Sequence, residues 1–264
     1  MNDRQPTSAA VVGPPGREAR PALEIAVTSA AGAVVARDGG ADRVELCAAL
    51  ELGGVTPAQG LVEAVVTVGI PAHVLVRCRP GDFVYDEDEI ATMIREVRAV
   101  VASGARGVVV GALGPDGMLD IATIARLRSA ARDVRADVEV TVHRAIDHAA
   151  DPIAAAATLP TLGVTRVLTS GGAATAPQGL ATITRMVAAA GPVQVMAGSG
   201  VAPQDVPAFA NAGVAAVHLS AKRLVAGRGT RGSRVPMGVA GEDTHLVTDP
   251  AVVAAARAAV DAVR

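Results

Sequence analysis

The sequence has no tryptophan, one tyrosine (Tyr85) and two phenylalanines (Phe83 and Phe209), although half of its residues are apolar. Its core must therefore be packed from Val, Leu, Ile and Ala. That composition suits a parallel sheet buried on both faces by helices. The same absence removes the stacking platforms used by single-stranded nucleic-acid binders. An excess of either charge is also missing: 24 Lys and Arg against 26 Asp and Glu leave a net charge of −2. Neither nucleic acid nor an anionic membrane finds an electrostatic footprint here. Two cysteines, Cys47 and Cys78, are too few for a disulfide framework and fit a reducing cytoplasm. No apolar run approaches the ~20 residues of a membrane span. The first twenty residues lack the apolar stretch of a secretion signal. Their Pro, Gly and charge content reads as a disordered tail. Lys222 is the only lysine, so every other fixed cation is Arg.

What is present, over residues 21–264, is one domain in which short apolar runs alternate with helical patterns. Strands are expected at 23–27, 42–47, 72–77, 107–111, 138–143, 166–169, 193–197 and 215–219. Helices are expected near 29–39, from Thr56-Pro57 onward, around Ile90–Val101, and near 120–132, 152–161, 177–190, 203–211 and from Asp249-Pro250. Eight strand–helix units make a single (β/α)₈ barrel of the TIM type with eight parallel strands. Four glycines, Gly40, Gly104, Gly163 and Gly213, stand where a helix ends and an even-numbered strand begins, the position that favours a left-handed residue. A doubly wound open sheet competes, but it would carry a Gly-rich turn after the first strand. Val27-Thr28-Ser29-Ala30-Ala31-Gly32 does not match that fingerprint. The connection over 220–248 is long and reads as a loop over the barrel mouth or an oligomer contact.

Alternation along a strand sorts polar residues to the barrel interior. Glu24 with Ala26, Glu45 with Cys47, Leu75 with Arg77, Thr141 with His143, and His218 with Ser220 share the inward parity. Glu24 reads as half of a structural pair with a buried Arg. His143 reads as a general acid or base whose tautomer is set by Glu45 or Asp147, with Arg77 completing the group. The competing reading is a structural network of Glu45, Arg77 and His143. Arg79 is expected to reach the mouth beside Arg77 and bind a carboxylate or phosphate. The turns Thr169-Ser170-Gly171 and Gly198-Ser199-Gly200, with Ser220, offer glycines and hydroxyls to an oxyanion. Lys222 lies beyond the last strand, which argues against Schiff-base chemistry. These features are those expected of a barrel enzyme, of unknown reaction, acting on a small anionic metabolite such as a sugar phosphate.

The same segments resemble the CutC family of copper homeostasis proteins. The resemblance rests on Gly39-Gly40-Ala41-Asp42-Arg43-Val44-Glu45-Leu46-Cys47, Gly53-Gly54-Val55-Thr56-Pro57, Gly81-Asp82-Phe83-Val84-Tyr85, Val142-His143-Arg144-Ala145-Ile146-Asp147 and Val167-Leu168-Thr169-Ser170-Gly171. It runs from about residue 23 to 250. It implies a cytoplasmic barrel that forms homo-oligomers, a link to copper tolerance, and at most a weak Cu(I) site with Cys47 as a ligand. Family members that bind copper carry a second cysteine in the first strand, where this chain has Ala26. Cys78 stands where the family usually has proline, and its parity points it away from the mouth.

Overall fold

The computed structural model describes residues 20–227 and 244–263. Eight parallel strands close into a barrel in sequence order. They are β1 (Ala22–Val27), β2 (Arg43–Leu46), β3 (Ala72–Leu75), β4 (Gly107–Val110), β5 (Glu139–Val142), β6 (Arg166–Thr169), β7 (Gln194–Gly198) and β8 (Ala216–Leu219). Pairing of β1 with β8 closes the ring and sets Glu24 opposite His218. On the other side of β1, Glu24 stands opposite Arg43. The expected (β/α)₈ architecture is thus the observed one. The tail expected over 1–20 lies almost wholly outside the described residues. No helix among the described residues is long and apolar enough to cross a membrane.

The helices α1 (Ala30–Asp38), α2 (Gln59–Val66), α3 (Glu87–Ala102), α4 (Ile121–Val134), α5 (Pro152–Leu162), α6 (Leu180–Ala189), α7 (Val206–Asn211) and α8 (Pro250–Ala262) form the outer layer. In α3 the buried stripe is Ile90, Met93, Val97, Val100 and Val101. Asp86 and Glu89 make a reciprocal capping box at its start, and three carboxylates follow in the first turn, where the helix dipole favours them. Asp151 with Pro152 and Asp249 with Pro250 open α5 and α8 as their sequence predicts. Gly40, Gly104, Gly163 and Gly213 all have positive φ, so the repeated turn into the even strands is real.

Several boundaries move, each for a local reason. Thr56 does not cap α2; that helix starts at Gln59. The Thr56 hydroxyl instead donates to Glu96 and accepts from the backbone N–H of Arg77, tying β3's exit to α3. The helix expected from 177 begins at Leu180, because Gly179 packs against the Ser170 carbonyl. Residues 203–211 split into a 3₁₀ turn and α7. Within the long eighth connection, β9 (Lys222–Ala226) and β10 (Thr244–Thr248) pair as an antiparallel ribbon; residues 228–243 lie outside the description.

The outer core is almost wholly aliphatic. Leu127 of α4 is completely buried within it. Leu127→Ala is expected to cost about 2–5 kcal/mol of unfolding free energy, read from the urea midpoint. A loss below ~1 kcal/mol would mean that α4 is not packed on the barrel as described.

Candidate functional site

A cavity of about 390 Å³ opens at the C-terminal ends of the strands, the usual place for chemistry on this fold. Glu45, Arg77, His143, Ser199, Gly200 and Ser220 all line it. One opening therefore gathers residues from β2, β3, β5, β7 and β8 that sequence parity places on one face. Among the described residues, the non-glycine residues with positive φ, Ala49, Ser199 and Ala221, follow β2, β7 and β8 around this mouth. Such backbone costs of order 1–3 kcal/mol each and clusters at functional sites.

The wall is built outward from a buried carboxylate. Glu24 is fully buried and pairs with the Arg43 guanidinium. Its other oxygen meets His218 Nδ1 at 2.8 Å. That contact turns His218 Nε2 toward Glu45 Oε2, 3.7 Å away. Burial pushes the Glu24 carboxyl up, but Arg43 and the bond to His218 outweigh it and hold it far below the ordinary carboxylate range. Burial opposes a charged His218, yet Glu45 and Glu24 overcome it and raise its pKa. For Glu45, burial prevails over the attraction of His218, helped by the nearby Glu24 charge, and the carboxyl is pushed up to about 7.

The expected partner of His143 is corrected. Neither Glu45 nor Asp147 sets its tautomer. Its Nδ1 accepts from the backbone N–H of Ala145 at 3.1 Å, which leaves the proton on Nε2. Nε2 has no hydrogen-bond partner among the described residues. Burial, reinforced by the positive charge of Arg77, depresses the ring to about 3, so it is a neutral donor. Phe83 packs against it at 5.0 Å between ring centres, and Arg77 lies over the same phenyl ring. Arg77 spends its terminal nitrogens on the carbonyls of Leu52, Gly54 and Gly81, so it braces two loops while lending charge to the cavity.

Asp147 and the sixth turn belong elsewhere. The Asp147 carboxylate accepts from the backbone N–H groups of Ser170 and Gly172 and from the hydroxyls of Thr169 and Ser170. Arg144 closes the pair from the other side at 2.8 Å. The anion held by this glycine-rich turn is the protein's own side chain. Thr169 points outward to Met186 of α6, and Gly171 is packed on the Gly179 carbonyl. Thr169, Ser170 and Gly171 therefore have no donors left for a ligand. Gly198 does not line the cavity; a Cβ there would press on Leu168 and His218. Arg79 is likewise corrected: it turns outward, bonding Glu89 and Asp82 and stacking on Tyr85.

Arg144 and His148, which sequence reasoning did not single out as site residues, reach the cavity, and so does Lys222, which it placed beyond the last strand and off the inner face. Lys222 does so although it lies past the last barrel strand, because the ribbon begins there. Inward parity does flag His218, and its pairing with two carboxylates is visible only once the ring closes.

Cys47 sits outside the cavity lining, buried against Leu75, Val109 and Leu50. Burial and the charges of Glu45 and Glu51 push its thiol well above the ordinary range. Cys78 packs against the outer core, as its parity suggests. Among the described residues no three His, Cys, Asp or Glu side chains come together as a metal cage. A lone, protonated thiol and the small side chain of Ala26 do not fit a Cu(I) site.

Comparison with known proteins agrees with the sequence resemblance. The CutC family profile matches residues 22–223. A CutC family protein of Klebsiella pneumoniae subsp. pneumoniae is 45% identical over 200 residues, 75% of this chain and 79% of the relative. One from Agrobacterium fabrum is 45% identical over 188 residues, covering 71% and 73%. The crystal structure of a copper homeostasis protein CutC from Streptococcus agalactiae superposes with a TM-score of 0.69 at 25% identity, covering 75% of this chain and 98% of that one.

The neutral His143 generates a pH prediction. In the unfolded chain the ring protonates near 6.5, and in the fold only near 3. Between those values the unfolded state binds more protons, so stability falls as pH falls. The slope contributed by this ring is up to about 1.4 kcal/mol per pH unit. His143→Asn is expected to flatten the dependence of unfolding free energy between pH 6.5 and 4.5. Identical slopes in the two proteins would show that the native ring titrates normally.

Proposed function

The chain belongs to the CutC family, and on that premise we propose that it serves copper homeostasis by binding a small anionic molecule in the strand-top cavity, not by holding Cu(I) on Cys47. One observation carries the reading. The cavity joins three cationic side chains, Arg77, Arg144 and Lys222, to the Nε2–H of His143, a buried donor with no partner among the described residues. A buried unpaired donor is costly, and a ligand oxygen would satisfy it. Lys222 supplies a point charge at the rim, and the Arg77 and Arg144 guanidinium groups, braced by loop carbonyls and by Asp147, add positive charge to the wall. The seventh and eighth turns, with Ser199, Gly200 and Ser220, complete the polar wall. The volume falls within the range of small-molecule pockets.

Copper itself would meet a single thiol kept protonated by its surroundings, a poor start for soft-metal binding. The family link to copper is then indirect, through the small molecule that the barrel handles. Two free cysteines and balanced charge suit work in the cytoplasm.

Two measurements test this. A thermal-shift panel of phosphorylated and carboxylated metabolites is expected to reveal a ligand. At about 100 times its dissociation constant the stabilisation should be ~2.7 kcal/mol, and it should shrink in Lys222→Ala and His143→Asn. In cells lacking the gene, Cys47→Ser is expected to restore copper tolerance like the wild type, whereas His143→Asn is not. Stoichiometric Cu(I) binding that vanishes in Cys47→Ser, together with lost tolerance in that variant alone, would reverse the assignment.

A further inference from the structure

Anion binding leaves two titratable groups on the cavity wall unused, the buried Glu45 and the partly exposed His218. Their arrangement is more specific than binding needs. Glu24 engages His218 Nδ1 at 2.8 Å and is itself anchored by Arg43. The orienting carboxylate is thus fixed, and the ring's other nitrogen is left toward Glu45. A histidine held by a buried carboxylate on one nitrogen, with the second toward a cavity, is the arrangement of a general acid or base. His143 lacks it, since its Nδ1 is tied to a backbone N–H.

The spacing narrows the chemistry. Glu45 Oε2 and His218 Nε2 are 3.7 Å apart on one wall. Carboxyl pairs that cleave a bond from opposite sides stand about 5–9.5 Å apart. The shorter distance suits two groups that touch neighbouring atoms of one substrate. Resting on the anion-binding reading above, we propose that Glu45 and His218 form a proton-transfer couple that enolises the bound anion, a small oxo or hydroxy-oxo compound carrying a carboxylate or phosphate.

The step balances without a further reactant. The Glu45 carboxylate takes the proton from the carbon beside the carbonyl. The C–H electron pair becomes the carbon–carbon π bond, and the carbonyl π pair moves onto oxygen. That oxygen takes the proton from protonated His218 Nε2. The result is an enol, a neutral Glu45 and a neutral His218. Return of the Glu45 proton to the neighbouring carbon of an enediol, on the same face, while neutral His218 takes the proton from the other enediol hydroxyl, gives an isomer with no net oxidation and restores both groups. Lys222 and the seventh and eighth turns hold the anionic end meanwhile. Glu24 is a positioning residue, acting only through the ring it orients.

The test uses the full chain in D₂O with four probes: dihydroxyacetone phosphate, ribulose 5-phosphate, pyruvate and 2-oxoglutarate. Thermal shift reads binding, and proton NMR reads loss of the hydrogens beside the carbonyl. At least one probe that binds is expected to exchange ten or more times faster than in a protein-free blank. Glu45→Gln and His218→Asn should each slow that exchange by about a hundredfold or more while keeping the thermal shift. Glu24→Gln should slow it too and change the ¹⁵N shifts of the His218 ring, which a purely structural role would leave alone. Should His218→Asn fail to fold, Glu45→Gln decides. Lys222-dependent binding with exchange of none of the bound probes overturns the proton-transfer couple and leaves anion binding standing. Exchange that persists in Glu45→Gln overturns it as well. No thermal shift with any probe removes both.

Discussion

The barrel closes on a buried carboxylate. β1 and β8 must pair for the ring to exist, and across that seam Glu24 faces His218 while its other neighbour is Arg43. The three side chains join the first, second and last strands through one ionic knot. As a source of stability it is modest, because desolvating charges offsets most of their attraction. Breaking it is another matter: an uncompensated buried charge costs about 3–5 kcal/mol. The knot therefore acts as a register device. A one-residue slip of β8 against β1 would send His218 among the helices and leave Glu24 charged and alone.

The composition explains why such a knot lies in the lumen. With almost no aromatic side chains, the interior cannot be filled by rings. It is filled partly by two small apolar groups, Cys47 with Leu75 and Val109, and Leu168 with Met196 and Ala216. The remainder is occupied by long polar chains. Arg43 reaches across to the Met196 sulfur, and Arg166 bonds Glu139, Thr141 and Gln194. Length without rings comes most readily from arginine and methionine, and arginine then demands buried acids. The charged lumen follows from the same scarcity that makes the outer core aliphatic.

The strand count, the inward parity and the four glycine turns were legible because each is a local pattern with a fixed period. Glu45, Arg77 and His143 converge because alternation on neighbouring strands leaves them no other face. Pairing was not legible. Nothing in the sequence says that His218, 194 residues from Glu24, is its partner; that contact exists only after closure. The ribbon that carries Lys222 to the rim was hidden in a connection of unremarkable composition. The misreading of Thr169, Ser170 and Gly171 is instructive. The turn does bind an anion, as its glycines suggest, and the anion is Asp147, supplied by the loop after β5.

That internal anion decides where an external one can go. The sixth turn is saturated by Asp147, so the side of the mouth that remains for a ligand is the one lined by the turns after β7 and β8 and by Lys222. Backbone strain is stored on the same side, at Ser199 and Ala221. The Glu45–His218 couple stands next to it, on β2 and β8 with β1 between them. Gly198, at the end of β7, keeps a Cβ from crowding His218. An anionic end held by the seventh and eighth turns places the atoms beyond it against the couple. The polarity of the mouth and the closure seam of the barrel are thus one arrangement: the contact that shuts the ring also orients the imidazole, and the turns on the β8 side of the seam line the mouth beside it.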